Sequence, residues 1–165
     1  MKNFTTTLFF ALLTISSFIQ AQTVVKATVR ITGEVTNPLI IDVENIQKFK
    51  KKLVIRKDRD GHNHRYSGIL LSDLLKTAGV TLDAELKGKN LTKYLLAEGS
   101  DGYQVIYSLA ELDSGYTNRR IILADQVDGK PLPSAEGPFR IIVQDEKKPA
   151  RCVRQLTTLM VKYAI

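Results

Sequence analysis

Residues 53–79 read LVIRKDRDGHNHRYSGILLSDLLKTAG. Apolar and polar side chains alternate from Leu53 to Asp58, the period of a half-buried strand. Asp60-Gly61 follows, a strong signal for a two-residue type I′ hairpin, whose turn needs positive φ at both positions. Pairing across that turn sets Arg59 opposite His62 and Lys57 opposite His64. Ser72 is then placed to cap a helix that buries Leu71, Leu74, Leu75 and Ala78 and stops at Gly79 in the C′ position.

The flanking sequence extends the pattern. From Val25 to Ile31, Val25, Ala27, Val29 and Ile31 share one face of a strand and Lys26, Thr28 and Arg30 the other, and Gly33 and Asn37-Pro38 punctuate its end. Asp42 is placed to cap a short helix burying Val43, Ile46 and Phe49. Further strands are expected at 91–97, 103–107, 120–124, 139–143 and 157–163. Ser108 and Glu111 form a capping-box pair for about one helical turn. The expected class is α+β, with mixed or antiparallel strands and a few short helices. There is no internal repeat and no low-complexity linker, so residues 22–165 read as one domain.

Met1 to Ala21 has a single charge, Lys2, an apolar run centred on Leu8 to Ile19, and a small residue at Ala21. That is the layout of a signal peptide, and it predicts export to the periplasm or beyond. The apolar run is too short to span a bilayer, which takes about 20 residues. No later run could cross one, so an integral membrane protein is not expected. The formal net charge is +7. Seven cations lie between Lys48 and Arg59, opposed only by Asp58, and form either a solvated face or one that attracts anions. Export and the lack of a recognisable module argue against nucleic acid. Cys152 is the single cysteine, so an intrachain disulfide and any Cys-rich metal centre are excluded. Its expected role is that of a small buried hydrophobe.

His62 and His64 would share one face of a strand, with Lys57 and Arg59 opposite. Two cations beside the imidazoles, and no carboxylate on that face, predict surface or anion-contacting histidines and no metal site. Asp101-Gly102-Tyr103 and Asp128-Gly129-Lys130-Pro131 read as turns. Arg119, Arg120, Arg140, Arg151 and Arg154 fall at strand edges, where guanidinium forks suit phosphate or carboxylate. Protease, hydrolase and nucleotide signatures are missing.

Seven short motifs then occur in a fixed order: Gly33-Glu34-Val35 with Asn37-Pro38-Leu39; the run Tyr66 to Leu75; Ser100 to Tyr103; Leu123-Ala124; Asp128 to Leu132; Gly137 to Arg140; and Val153 to Leu156. Their succession resembles the oxidoreductase molybdopterin-binding domain of the sulfite-oxidase type, and above all its small exported stand-alone members. The resemblance implies a sulfite-oxidase-like fold and, in catalytic members, molybdenum held by a pterin dithiolene and one cysteine thiolate. In those members the cysteine precedes the motif that Tyr66 to Leu75 matches. Here that segment is Ile55-Arg56-Lys57-Asp58, without cysteine, and Cys152 lies outside the matching motif. The matching site positions are His64, Asp101, Tyr103, Arg119, Arg120 and Arg140. Tyr103 is expected to offer its hydroxyl to a ligand, and Asp101 to brace an arginine. The expected function is binding of a pterin, a small anion or a protein partner without cysteine-ligated molybdenum. The alternative is a molybdopterin-dependent oxidoreductase using another ligand.

Overall fold

A computed structural model describes residues 26–164; the predicted signal segment and Val25 lie outside the described residues. Ten strands and two α-helices are present among them. The strands are β1 (Thr28–Gly33), β2 (Leu39–Asp42), β3 (Lys52–Lys57), β4 (Asn63–Leu70), β5 (Lys93–Gly99), β6 (Gln104–Ser108), β7 (Ile121–Val127), β8 (Lys130–Pro131), β9 (Arg140–Val143) and β10 (Leu156–Tyr163). The helices are α1 (Leu71–Thr77) and α2 (Leu109–Leu112). One sheet runs β2-β1-β10-β5-β6, with β1 and β10 parallel. The other runs β3-β4-β7-β8, and β9 pairs with β7. This is the expected α+β class with mixed strands.

The main core lies between the two sheets. Val29, Ile31, Leu95, Leu159 and Val161 face Ile69, Leu123, Ile141 and Val143, and α1 inserts Leu71, Leu74 and Leu75. A second cluster, with Val54, Tyr66, Ile122, Ala124 and Ile142, covers the opposite face of the second sheet. Strand β7 therefore has both faces buried, which explains its unbroken apolar run where β1 alternates. Gly68 sits in β4 at a register shift against β7, where a Cβ would meet the Leu123 carbonyl oxygen at 2.1 Å. Only glycine permits this approach of two backbones.

Three local expectations are corrected. The hairpin turn is a three-residue loop, not Asp60-Gly61 alone: the Asp58 N–H donates to the His62 carbonyl at 3.0 Å. Only Gly61 takes positive φ there, while the Asp60 carboxylate accepts from the His62 N–H. The register moves accordingly, with Arg56 opposite His64 and Lys57 opposite Asn63. Helix α1 starts straight out of β4 at Leu70, so Ser72 lies inside it and caps nothing. Leu71, Leu74, Leu75 and Ala78 are nevertheless buried, and Gly79 takes the expected positive φ. Asp42 accepts from the Glu44 and Asn45 N–H groups, but the turn it caps is a single 3-10 turn that leaves Val43 exposed. The Ser108–Glu111 capping box forms as expected.

Replacing Gly68 by alanine drives a methyl group into backbone that cannot step aside. The expected loss is about 1–3 kcal/mol or more, from overpacking. It is read as a fall in melting temperature of about 2–4 °C per kcal/mol. A Gly68→Ala protein that melts like the parent would contradict the close approach.

Candidate functional site

The β3–β4 loop, the β7–β8 turn, the 133–137 loop and the 149–154 segment meet over one end of the second sheet. Between them lie two adjoining concavities of about 350 and 330 Å³. The first is lined by His64, Tyr66, Asp128, Glu136 and Arg140, the second by Asp101, Tyr103, Ala150 and Cys152. Arg59, Pro149 and Arg154 belong to both, so the two form one groove.

The floor of the groove is a buried polar network. Arg56, only 5% exposed, pairs with Asp58, which also accepts from the Tyr66 hydroxyl. The Tyr66 oxygen accepts from Arg140 at 3.0 Å, and Arg140, 2% exposed, donates to Glu136 at 2.7 Å. Burial, reinforced by the Asp58 carboxylate, pushes the Tyr66 hydroxyl well above its usual pKa, so it stays protonated. Strand alternation in β3 turns Val54 and Arg56 inward, which gives this network its first cation.

At the rim, His64 lies between two carboxylates. Its Nδ1 is 2.6 Å from Asp128 and its Nε2 is 2.8 Å from Asp60. The hydrogen bond to Asp128, then that to Asp60, pushes its pKa up to about 9. This corrects the expected anion contact: the true register and the Asp128-Gly129 turn bring carboxylates, not cations, to both ring nitrogens. Both carboxylates sit below their usual range. The His62 N–H contributes most for Asp60 and the Arg65 N–H most for Asp128.

The other sequence-chosen residues divide between regions. Asp101 and Tyr103 do reach the groove, in the concavity adjoining that of His64 and Arg140. Asp101 braces no arginine; it closes its own turn by accepting from the Tyr103 N–H at 3.0 Å. The Tyr103 hydroxyl is taken by the Ala150 carbonyl at 2.8 Å and is not left for a ligand. Arg120 lies away from the groove, beside β3, with Nη1 3.5 Å from the Leu53 carbonyl. Arg119 approaches Glu146, and Arg151 pairs with Glu111 and Glu146. The basic run of 48–59 is likewise no single face, because Lys51 pairs with Asp125 and Arg56 is buried. Sequence reasoning named Arg59 and Arg154 among anion-contacting cations without placing them together, and it missed Asp58, Tyr66, Asp128 and Glu136 as partners. Asp58, Tyr66 and the Asp128-Gly129 turn had drawn notice for other reasons, and their spacing says nothing of these pairings.

The donors that could meet the metal-bearing end of a molybdopterin are few among the described residues. In the segment that precedes Tyr66 to Leu75, Asp58 is committed to Arg56 and Tyr66. Thiolate is what binds that soft metal, and the one thiol, Cys152, touches the second concavity but is 4% exposed and packs in the main core as expected.

Two facing sheets with a polar groove over their loop end define an α+β domain of sulfite-oxidase-like architecture. The oxidoreductase molybdopterin binding domain matches residues 19–163, and the chain belongs to that family. Among solved structures, the sulfane dehydrogenase SoxCD from Paracoccus pantotrophus is similar, with a TM-score of 0.63 and 21% identity over 81% of this chain. That match spans 37% of the SoxCD chain. No curated protein matches the chain in sequence.

Two measurements probe this geometry. His64 should remain an imidazolium through neutral pH, and Asp128→Asn should bring its titration down toward the ordinary value of about 6.5 in ring-proton NMR. Because the folded pKa is raised, the stabilisation is complete below about pH 6.5 and is lost as pH climbs through about 9. A His64 titrating near 6.5 in the parent protein would refute the clamp. Separately, Cys152 should label slowly in the native state, and Cys152→Ser should cost about 1–3 kcal/mol by burying an unpaired hydroxyl.

Proposed function

We propose that this protein is an exported, ligand-binding member of its family that takes a small anionic molecule in the groove without thiolate-bound molybdenum. The observation that carries this reading is the commitment of Asp58. In the segment where catalytic relatives would supply cysteine, its carboxylate is held by Arg56 and Tyr66. Export rests on the layout of Met1 to Ala21.

The choice of an anion rests on which charges are already matched. Asp60 and Asp128 are engaged by His64, and Glu136 by Arg140. Arg59 has no ion pair among the described residues, and Arg154 only approaches Glu136, at 3.7 Å. Both guanidinium groups stand where the two concavities join. A carboxylate, a phosphate or the phosphate of a pterin would receive paired N–H donors from them.

Elemental analysis of protein exported from a host that makes the molybdenum cofactor is expected to show far less than one molybdenum per chain. Phosphate and pterin phosphate are expected to raise the melting temperature. Arg59→Ala and Arg154→Ala should each weaken that binding about tenfold, the loss of roughly one charge-assisted hydrogen bond. Stoichiometric molybdenum, or anion binding indifferent to both arginines, would overturn the reading.

A further inference from the structure

Strand β3 is the outermost strand of its sheet. The phase of its pairing follows from the Asp58 N–H bonded to the His62 carbonyl at 3.0 Å. Counting back along the ladder, Arg56, Val54 and Lys52 exchange hydrogen bonds with β4. The backbone groups of Lys57, Ile55 and Leu53 therefore point away from the sheet, and Arg120 Nη1 reaches the outward Leu53 carbonyl. The same alternation leaves Leu53 48% and Ile55 59% exposed. A groove of about 1060 Å³ follows the strand, with Gln144 to Lys147 among its lining residues. Edges of this kind are usually covered or blunted. This one carries two bare apolar side chains.

Charge defines the partner. Lys57, Arg65, Arg120 and Lys147 line the groove, and none has an ion pair among the described residues. Of the acids there, Asp58 pairs with Arg56 and Glu146 with Arg151, so Asp145 alone opposes these cations. Arg56 lines the same groove, and its buried Nε has no hydrogen-bond partner among the described residues.

We propose that the open edge of β3 binds an extended segment of another protein, one that alternates apolar with acidic side chains. The segment adds a strand to the sheet, its main chain bonding to the outward groups of Ile55 and Lys57 and to the Leu53 N–H, since Arg120 already reaches the Leu53 carbonyl. A six-residue edge spans about 20 Å and takes about five to seven residues. Apolar side chains of the incoming strand extend the row of Leu53 and Ile55, and acidic ones meet Lys57 and Arg65, which share that face, and Arg120 and Lys147, which line the groove beside it. A second copy of this chain is the poorer occupant, because β3 against β3 brings two cationic sets face to face.

The probe is a capped, labelled heptapeptide alternating valine and glutamate, titrated against the whole folded protein. Saturable binding is expected, weakened by salt and absent for the valine–lysine analogue. Hydrogen exchange should slow at the Leu53, Ile55 and Lys57 amides and stay unchanged at Val54 and Arg56, which already bond to β4. Ile55→Lys and Arg120→Glu, both at exposed positions, should each weaken binding about tenfold while the melting temperature holds. Failure to saturate, equal binding of the lysine peptide, or protection at other amides would overturn the proposal. So would a doubling of solution mass that Ile55→Lys abolishes, which assigns the edge to a second copy.

Discussion

The buried chain of Arg56, Asp58, Tyr66, Arg140 and Glu136 is the constraint on which the groove depends. Two guanidinium groups almost sealed from water are tolerable only when paired. Removing one partner of such a set costs about 3–5 kcal/mol, because the other charge stays buried without compensation. The network joins β3, β4, β9 and the 133–137 loop through side chains that cannot separate cheaply. Tyr66 is its hinge, donating to Asp58 while its oxygen accepts from Arg140. The walls of the groove are thereby held in register with the sheet beneath them.

Above that floor, carboxylates are matched by shared cations, and His64 shows how. Asp60 and Asp128 come from two different turns, yet both end on the same imidazole. The pairing ties the β3–β4 loop to the β7–β8 turn and leaves Arg59 and Arg154 as the least compensated groups. The fixed carboxylates at the rim are thus already satisfied. Strand β3 serves two surfaces through one alternation: Val54 and Arg56 turn inward, while Leu53 and Ile55 face solvent along an open edge.

The chain shares its family's domain, and its one thiol sits where the groove meets the main core. Asp58 occupies the relevant segment, and Cys152 serves the core between the sheets. A fold can outlast a particular chemistry because its core residues and its site residues answer to different demands. Here the core between the two sheets is built from aliphatic side chains whose packing needs no cofactor.

By itself the sequence determined the local elements. Period-two alternation marked β1 and β3, the Ser108–Glu111 pair marked α2, and Leu71, Leu74 and Leu75 marked the buried face of α1. The order of short motifs determined the family. These signals are legible because they depend on residues within a few positions of one another. Tertiary structure alone decided the hairpin register, since the Asp60 carboxylate and Gly61 closed a three-residue loop where Asp-Gly signalled two. It alone decided that His64 meets carboxylates, that Arg140 is buried, and that Arg120 stands apart beside β3. Those outcomes join residues up to 74 positions apart, as in Tyr66 and Arg140, and no local pattern encodes which distant charge will be within reach.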